Sequence, residues 1–271
     1  MLESFLFNQA AVFVLILSRI GGLIATAPPF AGQSTPLRVR GMLAVALSVL
    51  ILPTHSDLSF EFTEGRNLVS FAMLVALEII VGLLIGLGMM ILLLGVQAAG
   101  QIVAQVSGLS LGDVFNPGLD DTVSVFSQLF YFVTTAAFVA IGGHRMTMDA
   151  LLGTFEWAPP GQVTFGPSFA HTLVGLLSQS FELGIRAAAP LLIALFLSTV
   201  VLGLISRTLP QINTVAVGFS VNSLLTLGVM FLTMGSIVWT FQAPLDDALI
   251  GLLEAVKEPG GSELGIGGLI E

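Results

Sequence analysis

LVSFAMLVALEIIVGLLIGLGMMILLLGVQAAGQIVAQVS, residues 68–107, decides the fold class of this chain. It holds one charge, Glu78, and nothing along it stops a helix. At about 1.5 Å per residue a helix of this length reaches about 60 Å, twice the hydrocarbon thickness of a bilayer. Such a helix must bend, break or leave the membrane. Gly82, Gly86 and Gly88 follow Glu78, and Gly82 to Gly86 has small-xxx-small spacing, a match that arises by chance among 30 glycines.

The end of this run changes character. Gln97, Gln101 and Gln105 recur every fourth residue and share one helical face, with Ala98, Gly100, Ala104, Ser107 and Gly108 keeping the surface narrow. After Gly108 the helical pattern stops. Leu109, Leu111, Val114 and Phe115 stand among glycines before the turn Asn116-Pro117-Gly118, so 107–121 reads as an irregular, hydrophobic loop.

Working outward, the whole chain is apolar: 55% of its 271 residues are hydrophobic and 9% charged. Ordinary soluble domains carry about 25% charged residues, so this is a membrane-class composition. With 8 Lys+Arg against 17 Asp+Glu the formal charge is −9, which excludes a basic surface for nucleic acid. The chain contains no cysteine, so disulfides, thiolate metal sites and cysteine nucleophiles are excluded together.

The first apolar run, Ala10 to Ala27, follows Glu3 without a basic segment and is expected to be a retained signal-anchor helix. Arg19 lies in its middle, where a charge normally faces protein or water. Ala27-Pro28-Pro29-Phe30 breaks the helix, Ala31 to Arg40 reads as a loop, and Gly41 to Leu52 is too short to span. Thr54 to Asn67 is an acidic, polar loop. Beyond the central loop, Val123 to Ile141 is a helix stopped by Gly142-Gly143. His144, Arg145 and Asp149 open a short amphipathic stretch to Glu156-Trp157, and Ala158-Pro159-Pro160-Gly161 is a firm break. Phe169 to Arg207 is a second long helical run. In it Glu182 and Arg186 are spaced for an internal ion pair, and Pro190 is expected to kink the helix. Arg207 to Asn213 is a short polar break before the apolar helix Thr214 to Phe241, and a tail is expected from Ala243, Gly-rich after Pro259. That gives four runs long enough to span and two short or broken ones. Arg38, Arg40 and Arg207 on one side are nearly balanced by Arg66, Arg145 and Lys257 on the other, so the positive-inside rule fixes no topology.

Catalytic motifs fail on context. Gly108-Leu109-Ser110-Leu111-Gly112 matches G-x-S-x-G, but it follows a long helical run instead of a strand, and His55, His144 and His171 lie on no confident spanning helix that would bring imidazole to Ser110. Ser110-Leu111-Gly112-Asp113 falls one residue short of the G-x-G-D of intramembrane aspartyl proteases. Three isolated histidines without H-x-x-x-H spacing provide no metal site. Neither catalytic residue, cofactor nor metal is expected.

A series of short matches is more specific in its joint order than any one member. Leu17-Ser18-Arg19-Ile20-Gly21-Gly22 leads to Ala27-Pro28-Pro29-Phe30 and Pro36-Leu37-Arg38-Val39-Arg40. Glu78-Ile79-Ile80-Val81-Gly82 with Gly86 comes next, then Gln97-Ala98-Ala99-Gly100-Gln101, Gly142-Gly143-His144 and Ala189-Pro190. Gly203 through Arg207 to Leu209-Pro210-Gln211-Ile212-Asn213 closes the series. Over roughly Leu15 to Val238 the chain thereby resembles the FliR family, membrane proteins of the flagellar type III export apparatus.

The resemblance implies an all-α fold of membrane-class helical hairpins forming one subunit of a helical export gate. It implies assembly with FliP and FliQ subunits, with FlhB at the closed entrance, in the bacterial inner membrane at the flagellar basal body, where unfolded protein substrates are exported. The half 1–165 is expected to look like a FliP subunit, 166–257 like a FliQ hairpin, and 258–271 is a flexible tail. Such a gate is lifted largely out of the bilayer, so Arg19, Glu78, Glu182, Arg186 and Arg207 are expected as charges used within the assembly, finding partners between chains. Family members carry a plug loop at the position of 107–121, so Leu109, Leu111, Val114, Phe115, Asn116, Pro117 and Gly118 are expected to form the closure. Gln97, Gln101 and Gln105 are expected to line or bond within the assembly. Asn116 stands where an aspartate is expected in many members, so the loop's local charge differs. Two other readings stand beside this one: an injectisome export-gate subunit, and a secondary transporter with broken helices, for which no internal repeat is found.

Overall fold

The computed structural model describes residues 2–28, 30–31, 35–55, 68–108, 124–163, 168–209, 211 and 213–257. Among these residues all regular structure is helical, as expected: α1 (Leu2–Thr26), α2 (Leu37–Ile51), a 3-10 turn (Leu52–His55), α3 (Leu68–Ser107), α4 (Val125–Ala140), α5 (Gly143–Trp157), α6 (Ser168–Thr208) and α7 (Thr214–Lys257). The loop residues Leu109, Leu111, Val114, Phe115, Asn116, Pro117 and Gly118 lie outside the described residues, as do 56–67 and the tail 258–271.

Two boundaries differ from the sequence reading. Leu37 to Arg40 is helix and not loop, because Pro36 takes the N-cap position with φ −59°, where its fixed backbone and missing N–H start a helix instead of breaking one. The stretch Leu37–Thr54 is therefore 18 residues long and apolar enough to cross a membrane. At the other end, the tail expected from Ala243 is helical: α7 continues through Pro244 to Lys257. Phe241, Leu245, Ala248, Leu249 and Leu252 are buried at helical spacing, and this stripe outweighs the proline. Among the described residues, 5 helical stretches are long and apolar enough to cross a membrane, or 6 if the bent pair α4 and α5 is counted as one span.

Glycine and cap chemistry set the other ends. Ser124 caps α4 by accepting the Ser127 N–H on its Oγ at 3.1 Å. Gly108, Gly142 and Gly161 adopt φ of 82°, 82° and 81°, at the ends of α3, α4 and the turn after α5. α6 runs through Pro190, which gives the carbonyl of Arg186 no intrahelical donor.

The chain divides into two compact units. The first comprises Met1–Met89, Arg145–Gly175 and Ala248–Glu271; the second comprises Met90–His144 and Leu176–Asp247. The core of the first joins Ile16, Ile20 and Leu23 of α1, Ala44 of α2, Val81 and Ile85 of α3, and Leu151 and Phe155 of α5. In the second, Leu92, Val96 and Val103 of α3, Phe130 and Phe138 of α4, and Leu191 and Leu195 of α6 are buried. These units interleave along the sequence, unlike the division at 165/166, which concerns likeness to other subunits.

Candidate functional site

In the first unit the charge in α1 meets the charge in α3. Arg19 Nε donates to Glu78 Oε2 at 2.5 Å, and both side chains are 0% exposed. Arg19 Nη1 donates to Thr154 O at 3.0 Å and Thr154 Oγ1 at 3.2 Å, and Nη2 donates to Ala158 O at 3.0 Å. The guanidinium thus takes the Ala158 carbonyl just past the end of α5 and shares the Thr154 carbonyl with the Ala158 N–H, at the negative pole of that helix, while lying 4.4 Å from the centre of the Phe155 ring. Glu78 Oε1 accepts the Gly161 N–H at 2.7 Å, tying down the turn after Pro159-Pro160. Arg19 and Glu78 therefore find their partners inside the chain, which corrects the expectation that they pair between chains. A buried pair persists only when its remaining hydrogen-bonding capacity is used, and here the α5 carbonyls and the Gly161 amide use it.

Gly82 and Gly86, whose spacing reads as a chance match in the sequence, together with Gly22 let these charges meet. A Cβ on Gly82 would collide with the Arg19 carbonyl oxygen and stand 2.8 Å from Leu23 N, and one on Gly22 would lie 2.5 Å from Ile79 O. A Cβ on Gly86 would collide with Thr26 Oγ1 and stand 2.7 Å from Ala27 N. α1 and α3 are in backbone contact along Gly22, Gly82 and Gly86, the use to which small residues are put between apolar helices.

In the second unit the amide face of α3 meets the start of α4. Gln101 Oε1 accepts the Ser124 N–H at 3.2 Å, and Ser127 Oγ donates to Gln97 O at 2.8 Å. A Cβ on Gly100 would lie 2.9 Å from Ser127 Cα and 3.0 Å from Phe130 Cβ. Gln97 and Gln101 are half-buried, while Gln105 is exposed. The same helix meets α6 through glycine: Ser180 Oγ donates to Ile91 O at 2.6 Å, and a Cβ on Gly95 or Gly184 would collide with the facing backbone.

The outer face of α6 is apolar and uncovered. Val174, Phe181, Ile185, Ile193, Phe196 and Leu204 are each more than 60% exposed, and among them Arg186 Nη2 pairs with Glu182 Oε1 at 2.5 Å, both side chains 59% exposed. Arg207 is exposed in the last turn of α6, where a cation suits the helix dipole. Within the second unit, Phe181 to Leu204 covers about 35 Å along the helix, comparable with the hydrocarbon thickness of about 30 Å. Leu224, Phe231, Leu232 and Trp239 of α7 are at least 75% exposed as well. The buried polar contact between these helices is Ser198 Oγ donating to Asn222 Oδ1 at 2.6 Å.

Residues 10–248 match the family model described as bacterial export proteins, family 1. The chain belongs to that family. This export protein is 26% identical to the flagellar biosynthetic protein FliR of Aquifex aeolicus (strain VF5) over 242 residues, 89% of this chain and 92% of the relative. It is 28% identical over 217 residues to the FliR of Escherichia coli (strain K12), 79% of each chain. It is also 25% identical over 190 residues to the secretion system apparatus protein SsaT of Salmonella typhimurium, 70% of this chain and 73% of that one. The FliR resemblance read from the sequence is borne out.

Of the residues singled out in this export protein, Arg19 comes together with Glu78, Glu182 with Arg186, and Gln101 with the start of α4. Thr154, Phe155, Ala158 and Gly161 around Arg19, and Ser198 with Asn222, were not foreseen. Gly161 after two prolines is the one of these with a sequence signal, a glycine where a turn needs positive φ.

Proposed function

We propose that this protein is a structural, non-catalytic subunit of the flagellar type III export gate in the bacterial inner membrane. With FliP and FliQ, and with FlhB at the entrance, it forms the channel through which unfolded flagellar proteins leave. Its 1–165 half takes the place of a FliP-like subunit and 166–257 that of a FliQ-like hairpin. The loop 107–121 serves as the plug, with Leu109, Leu111, Val114 and Phe115 shedding water and ions and Asn116-Pro117-Gly118 letting it move aside.

The observation that carries this reading is the uncovered apolar face of α6 with an exposed ion pair set among its apolar side chains. A chain with such a face is unfinished alone. A protein neighbour that covers it also shields Glu182 and Arg186, whose place in lipid would cost about 2.5–3.5 kcal/mol per charge, against about 0.3–0.5 kcal/mol for such a pair in water. The flagellar branch is supported by a FliR relative matching 89% of the chain, against 70% for the secretion-system relative.

Purification in detergent from the native host tests the proposal. An export-gate subunit co-elutes with two other small membrane proteins in fixed proportion. Recovery alone, or as a symmetric homo-oligomer with solute uptake in vesicles, would mean a secondary transporter.

A further inference from the structure

The outer side of α2 is as bare as that of α6 but differs from it in chemistry. Small residues lie on its inner side: Ala44 and Ser48, four apart, are buried, Ala44 in the core of the first unit. The Ser48 hydroxyl donates to Ala44 O at 2.7 Å, so it needs no partner from outside. Met42, Val45, Val49 and Leu50 face outward, each at least 45% exposed. From Val39 to Pro53 every exposed position is apolar, and Gly41 and Ala46 among them are five apart, off the four-residue spacing of close helix packing. A face that docks on another membrane helix uses small residues at that spacing or polar groups. The outer side of α2 has neither, whereas α6 sets the Glu182–Arg186 pair among its exposed apolar side chains.

The length and the end of α2 fit lipid as well. Leu37–Thr54, 18 residues, reaches about 27 Å, slightly less than the hydrocarbon thickness of about 30 Å. Arg38 is exposed at one end of this stretch, the first turn of α2 holds no acidic residue, and among the described residues no carboxylate pairs with Arg38. A long basic side chain at the end of a short apolar span makes up the missing length by extending to the headgroups. We propose that the outer face of α2 lies against bilayer phospholipid, with Arg38 reaching an anionic headgroup. This rests on the membrane placement above and on none of the partner assignments. α2 is then a face that the assembly leaves to lipid.

The test uses the complex purified from its native host and returned to lipid nanodiscs. The chain has no cysteine, so Met42→Cys, Val45→Cys and Val49→Cys each place a single fluorophore on it, with the unaltered chain as background. The probe is phospholipid brominated on its acyl chains, which quenches on contact, and all three positions should be quenched. In discs of phosphatidylglycerol and phosphatidylcholine in equal parts, with one of them brominated at a time, the label at Met42→Cys should report phosphatidylglycerol enriched about fivefold, the factor for one basic side chain at an anionic surface. Adding Arg38→Gln should abolish that difference and Arg38→Lys should keep it; the comparison of the two lipids with Arg38 in place stands without either variant. Absence of quenching at all three positions, in complexes that fractionate with the membrane, would overturn the lipid assignment and mean that another protein covers α2. Equal quenching by the two lipids with Arg38 in place would overturn its headgroup role. Recovery of the chain outside the membrane fraction would remove the membrane placement and this inference with it.

Discussion

Replacing Arg19 by methionine keeps most of the volume and removes every bond the guanidinium makes. Glu78 would be left 0% exposed with the Gly161 N–H as its remaining partner, the Ala158 carbonyl would lose this donor, and the Thr154 carbonyl would keep the Ala158 N–H. Breaking a buried pair from one side costs about 3–5 kcal/mol, because the remaining charge stays in place without compensation. Against a typical stability of about 5–15 kcal/mol this is a large fraction, and at roughly 2 °C per kcal/mol it lowers the midpoint by about 6–10 °C. The double variant Arg19→Met, Glu78→Gln removes the stranded charge and should recover part of the loss. The assay is thermal unfolding of the full chain in detergent, with hydrogen exchange at the Gly161 amide reporting the turn directly. A midpoint within about 2 °C of wild type for Arg19→Met, or a double variant whose loss equals the sum of the singles, would refute the claim that the pair and the α5 end form one unit.

Glycine substitutions separate contact from propensity. Gly82→Ala places a methyl group against the Arg19 carbonyl and should cost about 1–3 kcal/mol, whereas Gly21→Ala meets nothing within 4 Å and should be neutral or gain up to about 1 kcal/mol; thermal midpoints of the pair compare them. Gly95→Ala should likewise destabilise the α3–α6 contact, with Gly203→Ala, also open within 4 Å, as its harmless control in the same melts. Asn222→Ala removes the acceptor of the Ser198 hydroxyl and should cost about 0.6–1.7 kcal/mol, read as reduced protection of α7 amides in hydrogen exchange.

What could be read from sequence was whatever depends on neighbours along the chain. α3 shows itself because nothing between Leu68 and Ser107 interrupts it, Glu182 and Arg186 because they are one turn apart, and the end of α4 because Gly142 supplies a positive φ. The environment of Arg19 was hidden for the opposite reason. Three of its acceptors lie 135–139 residues away on Thr154 and Ala158, two of them main-chain oxygens of a kind every residue has. Gly22, Gly82 and Gly86 form a motif only when α1 is known to lie on α3. The prolines misled in two directions: Pro36 was read as part of a loop where it begins α2, and Pro244 as part of a tail where a buried apolar stripe carries α7 onward. Of the expected site, the amide face of α3 is in the described structure, while Leu109 to Gly118 lie outside the described residues and stand on the family resemblance.

The most direct test of the account asks what covers α6. A photo-crosslinking amino acid at Ile185, 65% exposed beside Glu182 and Arg186, is introduced into the full-length protein in growing cells and illuminated. The account predicts adducts with another small membrane protein of the export apparatus. Adducts with lipid alone would contradict it.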